Sequence, residues 1–147
     1  MTRLFRRLHD DRGNALIETA FVLPLLLLVS VSVFEFGRAF QYWQVLTNAA
    51  REGARIAVLP GTTDDAISTR VETYLAGGQL SDPDSATVGI VRNDEISIGG
   101  TTAPASTITV SYPFAFMVLQ PIAQLVVSGS TVGSAIMMTA SSTMRNE

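Results

Sequence analysis

Residues 12–34 read RGNALIETAFVLPLLLLVSVSVF, and the fold turns on this stretch. From Thr19 to Phe34 no side chain is charged and nearly all are aliphatic. That run is shorter than the ~20 residues needed to cross a bilayer core. Extension back through Asn14, Ala15, Leu16 and Ile17, and forward past Glu35 to Gly37, supplies the missing length and brings in Glu18 and Glu35. A carboxylate in an apolar helix is costly to desolvate and is usually functional or paired. Arg38, three residues after Glu35, can pair with it on one helical face. Glu18 has no such partner downstream.

Beyond Glu35 the helical pattern continues. From Phe36 to Leu59 the chain reads FGRAFQYWQVLTNAAREGARIAVL. Apolar residues recur at Phe36, Phe40, Trp43, Leu46, Ala50, Ala54 and Ala57 or Val58, and Pro60-Gly61 stops the run. The spacing predicts one helix over about 14–58, too long for an ordinary globular domain. Tyr42 and Trp43 suit either a headgroup layer or packing against the downstream domain.

Composition agrees with a membrane segment joined to a small polar body. The 147 residues are 47% hydrophobic and 16% charged, with a mean hydropathy of +0.31. Every basic side chain is arginine. Arg3, Arg6, Arg7 and Arg12 lie in the first thirteen residues, which are net +2 with Asp10 and Asp11, whereas residues 14–147 set six arginines against eleven acids. Positive charge ahead of the apolar run orients the N-terminus to the cytoplasm and exports the C-terminal part. The acidic remainder offers no continuous basic face for nucleic acid.

Three readings of the N-terminal region stand side by side. A plain signal-anchor would simply be retained. A cleaved secretory signal peptide has only the weak small-x-small match Gly37-Arg38-Ala39 as a cleavage site. The third is a prepilin-type leader. Gly13 follows a basic segment, and Glu18 is the fifth residue after it, entering the apolar helix.

This arrangement resembles the processing site of type IV pilin-like precursors, which are cut after the glycine. In those proteins the fifth-residue glutamate acts in assembly, through the free amino terminus of a neighbouring subunit. Asn48-Ala49-Ala50-Arg51-Glu52-Gly53-Ala54-Arg55 in turn looks like the AAREGAR-type signature of the TadE/TadG-like proteins, minor pseudopilins of the tight-adherence (Flp) pilus system. The terminal stretch 139–147 also looks like that family's closing segment. With no cysteine and no room for a von Willebrand-type insertion, the chain is similar to the short, TadE-like form.

The resemblance implies a leader over 1–13 cut between Gly13 and Asn14, a transmembrane segment over 14–37, an exported helical continuation over 38–59 and a small exported domain over 60–147. It further implies assembly through Glu18, residence in a bacterial inner membrane, and as partners a prepilin peptidase, other pilins or pseudopilins and an inner-membrane assembly platform. The rivals are a non-assembling membrane-anchored binding or sensing module and a domain released by signal peptidase.

Residues 48–55 also carry their own logic. Arg51 and Arg55 repel mildly at i,i+4, and Glu52 can pair with Arg55. Ala49, Ala50, Gly53, Ala54 and Ala57 form a small-residue surface, open to packing on the protein's own sheet or on a neighbouring helix.

Downstream, Thr63 or Asp64 can cap a second helix with Ile67, Val71, Tyr74 and Leu75 on one face, ended by Gly77-Gly78. Thr87–Arg92 and Ser106–Tyr112 read as strands, Glu95–Ile98 as a short strand or irregular edge, and 130–140 as a last strand. Pro113 should end or bend its strand. Residues 114–127, too few for a second span, suit a short helix or broad loop against the core or the membrane surface. The sum is an α+β, pilin-like plan: one long helix, one short helix and three or four antiparallel strands.

No catalytic chemistry is legible. His9, the sole histidine, lies in the expected leader. Asp64/Asp65, Asp82/Asp84 and Asp94/Glu95 lack calcium-loop spacing and fit turns and caps. Gly99-Gly100 lacks the lysine of a phosphate loop. We therefore expect neither an enzyme nor a cofactor.

Overall fold

The computed structural model describes residues 11–126 and 128–146. Arg3, Arg6, Arg7 and His9 fall outside that range. The elements in chain order are α1 (Asp11–Ala57), α2 (Asp64–Gly77), β1 (Thr87–Ile98), β2 (Thr101–Phe114), α3 (Leu119–Val126) and β3 (Ile136–Arg145), with a 3-10 turn at Pro83–Ser85. This is the α+β, pilin-like plan, with three strands and a third, very short helix.

At ~1.5 Å per residue the 47 residues of α1 extend for roughly 70 Å. Residues 13–30 are exposed throughout, and burial begins only with Val31 and Ser32. Thr19, Ser30 and Ser32 each return a hydroxyl to the carbonyl four residues back, at 2.8 Å. These hydroxyl side chains in the apolar segment therefore satisfy themselves within the helix.

The C-terminal half of α1 is the centre of the core. Ala39, Tyr42, Leu46, Ala49, Ala50, Ala54 and Ala57 are buried, together with Ile67, Val71 and Leu75 of α2 and Ile108, Val110, Tyr112 and Phe114 of β2. This face differs from the expected stripe. Leu46, Ala50, Ala54 and Ala57 belong to it, whereas Phe36, Phe40 and Trp43 are exposed on an adjacent face. Tyr42 packs inward and Trp43 does not. On α2, likewise, Tyr74 is partly exposed while Ile67, Val71 and Leu75 are buried.

Thr63 supplies the cap of α2, its side chain accepting from Ala66 N at 3.3 Å, and Gly78 closes the helix. The sheet has the order β1-β2-β3, with both pairings antiparallel. Glu95–Ile98 continues β1 past a register shift between Arg92 and Asp94, where Asn93 takes φ 57°. A bulge of this kind adds one residue and restores the alternation beyond it. Gly99 and Gly100 (φ 59° and 87°) form the two-residue hairpin turn joining β1 to β2.

Pro113 neither ends nor leaves β2. It lies past the last pairing with β1 (Thr87 with Ser111), where only β3 runs alongside, so the absent N–H breaks no three-stranded ladder. The last strand starts later than expected, at Ile136 rather than 130, because Gly129 and Gly133 adopt positive φ in the preceding loop. Residues 115–118 form a loop, and α3 comes next with Pro121 in its first turn, where a missing N–H costs no helical bond.

Candidate assembly and anchoring site

The site lies along α1. Gly13 and Asn14 fall within the helix and are exposed, and a Cβ placed on Gly13 would meet no neighbour. A helical glycine costs about 1 kcal/mol relative to alanine, so this is a locally weak point of the backbone. Glu18 is exposed one turn further on and borders a shallow groove with Thr19, Val22, Leu23 and Leu26. Among the described residues it has no ion-pair partner. The carboxylate thus stands on an otherwise apolar and uncovered helix surface.

At Ala49–Ala57 the small-residue surface is used within the chain. Ala49, Ala50 and Ala54 have no exposed surface. A Cβ at Gly53 would stand 2.6 Å from Val71 Cγ2 and 3.1 Å from Ile108 Cγ2. Glycine at 53 is what lets α1, α2 and β2 meet at this depth.

On the flank of that surface Glu52 gathers two arginines. Its Oε1 accepts from Arg55 Nη2 at 2.9 Å and from Arg70 Nη2 at 2.7 Å, and Oε2 accepts from Arg55 Nε at 3.1 Å. Hydrogen bonds from Arg55 first, and from Arg70 next, lower the Glu52 carboxyl to about 2. The same contact raises Arg55. Arg70, on α2, is the partner that local spacing could not reveal. Arg51 points to solvent with no ion pair among the described residues.

The second missed feature is at Glu35. The i,i+3 contact with Arg38 is present at 3.3 Å, but Glu35 is only 6% exposed and does more. Its carboxylate accepts from Met117 N at 3.1 Å and Val118 N at 3.3 Å. Arg38 Nη2 donates to Ala115 O at 2.6 Å, and its guanidinium lies 4.9 Å from the centre of the Phe114 ring. One acid and one base thereby fasten the 115–118 loop to α1 at the point where the charge-free run ends. An acid followed three residues later by arginine suggested a pair; no sequence signal marked backbone partners some eighty positions away.

Next to this clasp, Phe36, Phe116, Phe114, Tyr42 and Tyr112 form a chain of edge-to-face rings with centroids 5.1–6.1 Å apart. Tyr42 O–H lies 2.7 Å from Ser81 Oγ, and the Tyr112 hydroxyl accepts from Asp82 N at 3.3 Å, so both polar ends in this aromatic column are satisfied.

A single exposed apolar N-terminal helix, continuous with a pilin-like α+β body, defines a class consistent with single-pass membrane anchoring. It is the one helix among the described residues long and apolar enough to cross a bilayer. Residues 13–55, less than a third of the chain, match a family model described as TadE-like protein. The match runs from Gly13 to Arg55 and so takes in Glu18, Glu35 and the 48–55 block. No curated protein and no solved structure matches the chain.

Proposed function

We propose that this protein is a minor pseudopilin: a subunit held in the bacterial inner membrane by α1, processed after Gly13 and incorporated into a tight-adherence-type pilus or related secretion apparatus. In this reading the body beyond Arg38 is exported, and the work is structural and templating rather than catalytic. The observation that carries it is Glu18. A carboxylate without an ion-pair partner among the described residues sits on a bare apolar helix, five residues after the glycine at which the TadE-like segment begins.

The physics of such a group favours assembly. An isolated carboxylate in hydrocarbon is expensive, and a cationic partner delivered by a neighbour removes much of that cost. Cutting after Gly13 creates an α-amino group at Asn14, one helical turn from Glu18 along the axis. A neighbouring subunit displaced by about one turn would present its amine at the right height. A prepilin peptidase, sibling pseudopilins and an inner-membrane platform are the partners this scheme requires.

Replacing Glu18 with alanine separates the readings. The pseudopilin is expected to insert in the membrane at wild-type levels, as seen by alkaline extraction, and to disappear from sheared fibre or cross-linked assembly fractions. A retained anchor with no assembly role would leave those fractions unchanged.

A further inference from the structure

The end of the globular body that carries α3 has an unusual surface. Phe36, Met117, Val118, Val132, Ile136 and Met137 are exposed there, Met117 at 64% and Met137 at 66%. They come from α1, the 115–118 loop, the loop before β3 and the start of β3, and they converge for definite reasons. Glu35 holds Met117 and Val118 by their backbone N–H groups. Phe36 meets Phe116 edge to face. Ile136 pairs with Phe114 and Met137 with Pro113. Gly133 lies so close to α3 that a Cβ on it would stand 2.7 Å from Gln120 N.

No Asp, Glu, Lys, Arg or His occurs between Glu95 and Arg145. Glu35 and Arg38, the charges beside the patch, are engaged with each other and with the backbone. The next acids, Asp82 and Asp84, lie higher on the body, where Asp82 N donates to the Tyr112 hydroxyl. By contrast, the far end of the body carries Arg51, Glu52, Arg55, Asp64, Asp65 and Arg92. The body is therefore polarised along α1.

We infer that this end is a lipid-contacting foot, seated in the headgroup layer of the same bilayer that α1 crosses. The height follows from α1 itself. Its charge-free run, Thr19–Phe34, is too short for a bilayer core, so the boundary falls near Glu35 or beyond it. The body already overlaps the run from above, since Val31 and Ser32, on the same helix face as Glu35, are half-buried. Side chains fastened at Glu35 thus share the depth of the boundary.

An exposed apolar patch on a soluble body marks a contact site. Here the patch is continuous with the uncovered apolar surface of the span, which makes lipid the occupant. Because the foot has no free cation among the described residues, its seating depends on apolar burial and is indifferent to lipid charge, unlike that of basic interfacial helices. The foot would fix the tilt and rotation of the body above the membrane, and so the face it offers to a neighbouring subunit.

This inference rests on the reading that α1 spans a bilayer, and its test keeps the two apart. The chain has no cysteine, so single spin labels can be placed at will. Full-length Leu25→Cys, Met117→Cys, Met137→Cys and Ala66→Cys variants, one copy per phosphatidylcholine nanodisc, would be compared for accessibility to oxygen and to a water-soluble nickel chelate. All four sites are exposed, which limits any effect on folding.

The foot predicts a several-fold higher oxygen-to-nickel ratio at 117 and 137 than at 66, still below that at 25, and unchanged with anionic lipid added. A deep Leu25 label with 117 and 137 matching 66 would overturn the foot and leave the anchor standing. Shielding of 117 and 137 from both reagents would mean protein covers the patch, again overturning it. A water-exposed label at 25 would remove span and foot together.

Discussion

At the residue scale, the three glutamates of α1 have different surroundings, and these decide what each can do. Glu18 has a bare apolar surround and no ion-pair partner among the described residues, Glu35 is buried against two backbone N–H groups and Arg38, and Glu52 is shared by Arg55 and Arg70. The Glu52 cluster gives a pH dependence of definite sign. Its carboxyl is lowered from 4.5 to about 2 in the folded protein, chiefly by the hydrogen bonds from Arg55 and Arg70. A depressed acid stabilises the fold above its unfolded value and loses that contribution as pH falls through the folded one. The melting temperature of the detergent-solubilised chain should therefore drop between pH 4.5 and 2. Glu52→Gln should melt about 2–5 °C lower at pH 7 and show a shallower loss over that window, the two curves converging at its acid end. Parallel curves across the window would mean that the cluster contributes nothing. Tyrosine and Trp43 fluorescence reports the transition.

At the element scale, the decisive contact is that of α1 with α2 and β2 through a face of small residues. Enlarging Gly53 tests it. Gly53→Ala gains helix propensity of about 1 kcal/mol but drives a methyl into Val71 and Ile108, so a net loss of about 1 kcal/mol is expected. Gly53→Leu should prevent close packing altogether, seen as a loss of the cooperative melt and of protection of the α2 amides from hydrogen exchange. Unchanged stability for both would contradict the tight crossing.

That face also explains what the sequence did and did not disclose. The length and position of α1, the cap at Thr63, the apolar positions Ile67, Val71 and Leu75, and the alternation Ile108, Val110, Tyr112 all carry local signals that survive into the structure. The packed face of α1 was only half legible. Periodicity weights large side chains and selects Phe36, Phe40 and Trp43, while close approach is made by alanines and a glycine around Tyr42 and Leu46. The start of β3 was hidden for a related reason. Its outward positions, Thr139, Ser141 and Thr143, are hydroxyls that bond across to Ser111, Thr109 and Thr107, so apolar alternation is weak there. The partners of Glu35 and Arg70's part in the Glu52 cluster depend on tertiary meetings that no local pattern encodes.

At the scale of the whole molecule, one half of α1 is uncovered and apolar, consistent with a membrane anchor, and the other half is the spine of an α+β body. Such a division suits a subunit that waits in a bilayer and is then drawn into a polymer by its helix. The proposal makes the bond between Gly13 and Asn14 the point at which the precursor becomes competent. The most direct measurement is the intact mass and N-terminal sequence of the protein isolated from its native membrane. The pseudopilin account predicts a chain beginning at Asn14. A chain that still carries residues 1–13 would contradict it and leave a membrane-anchored module that does not assemble.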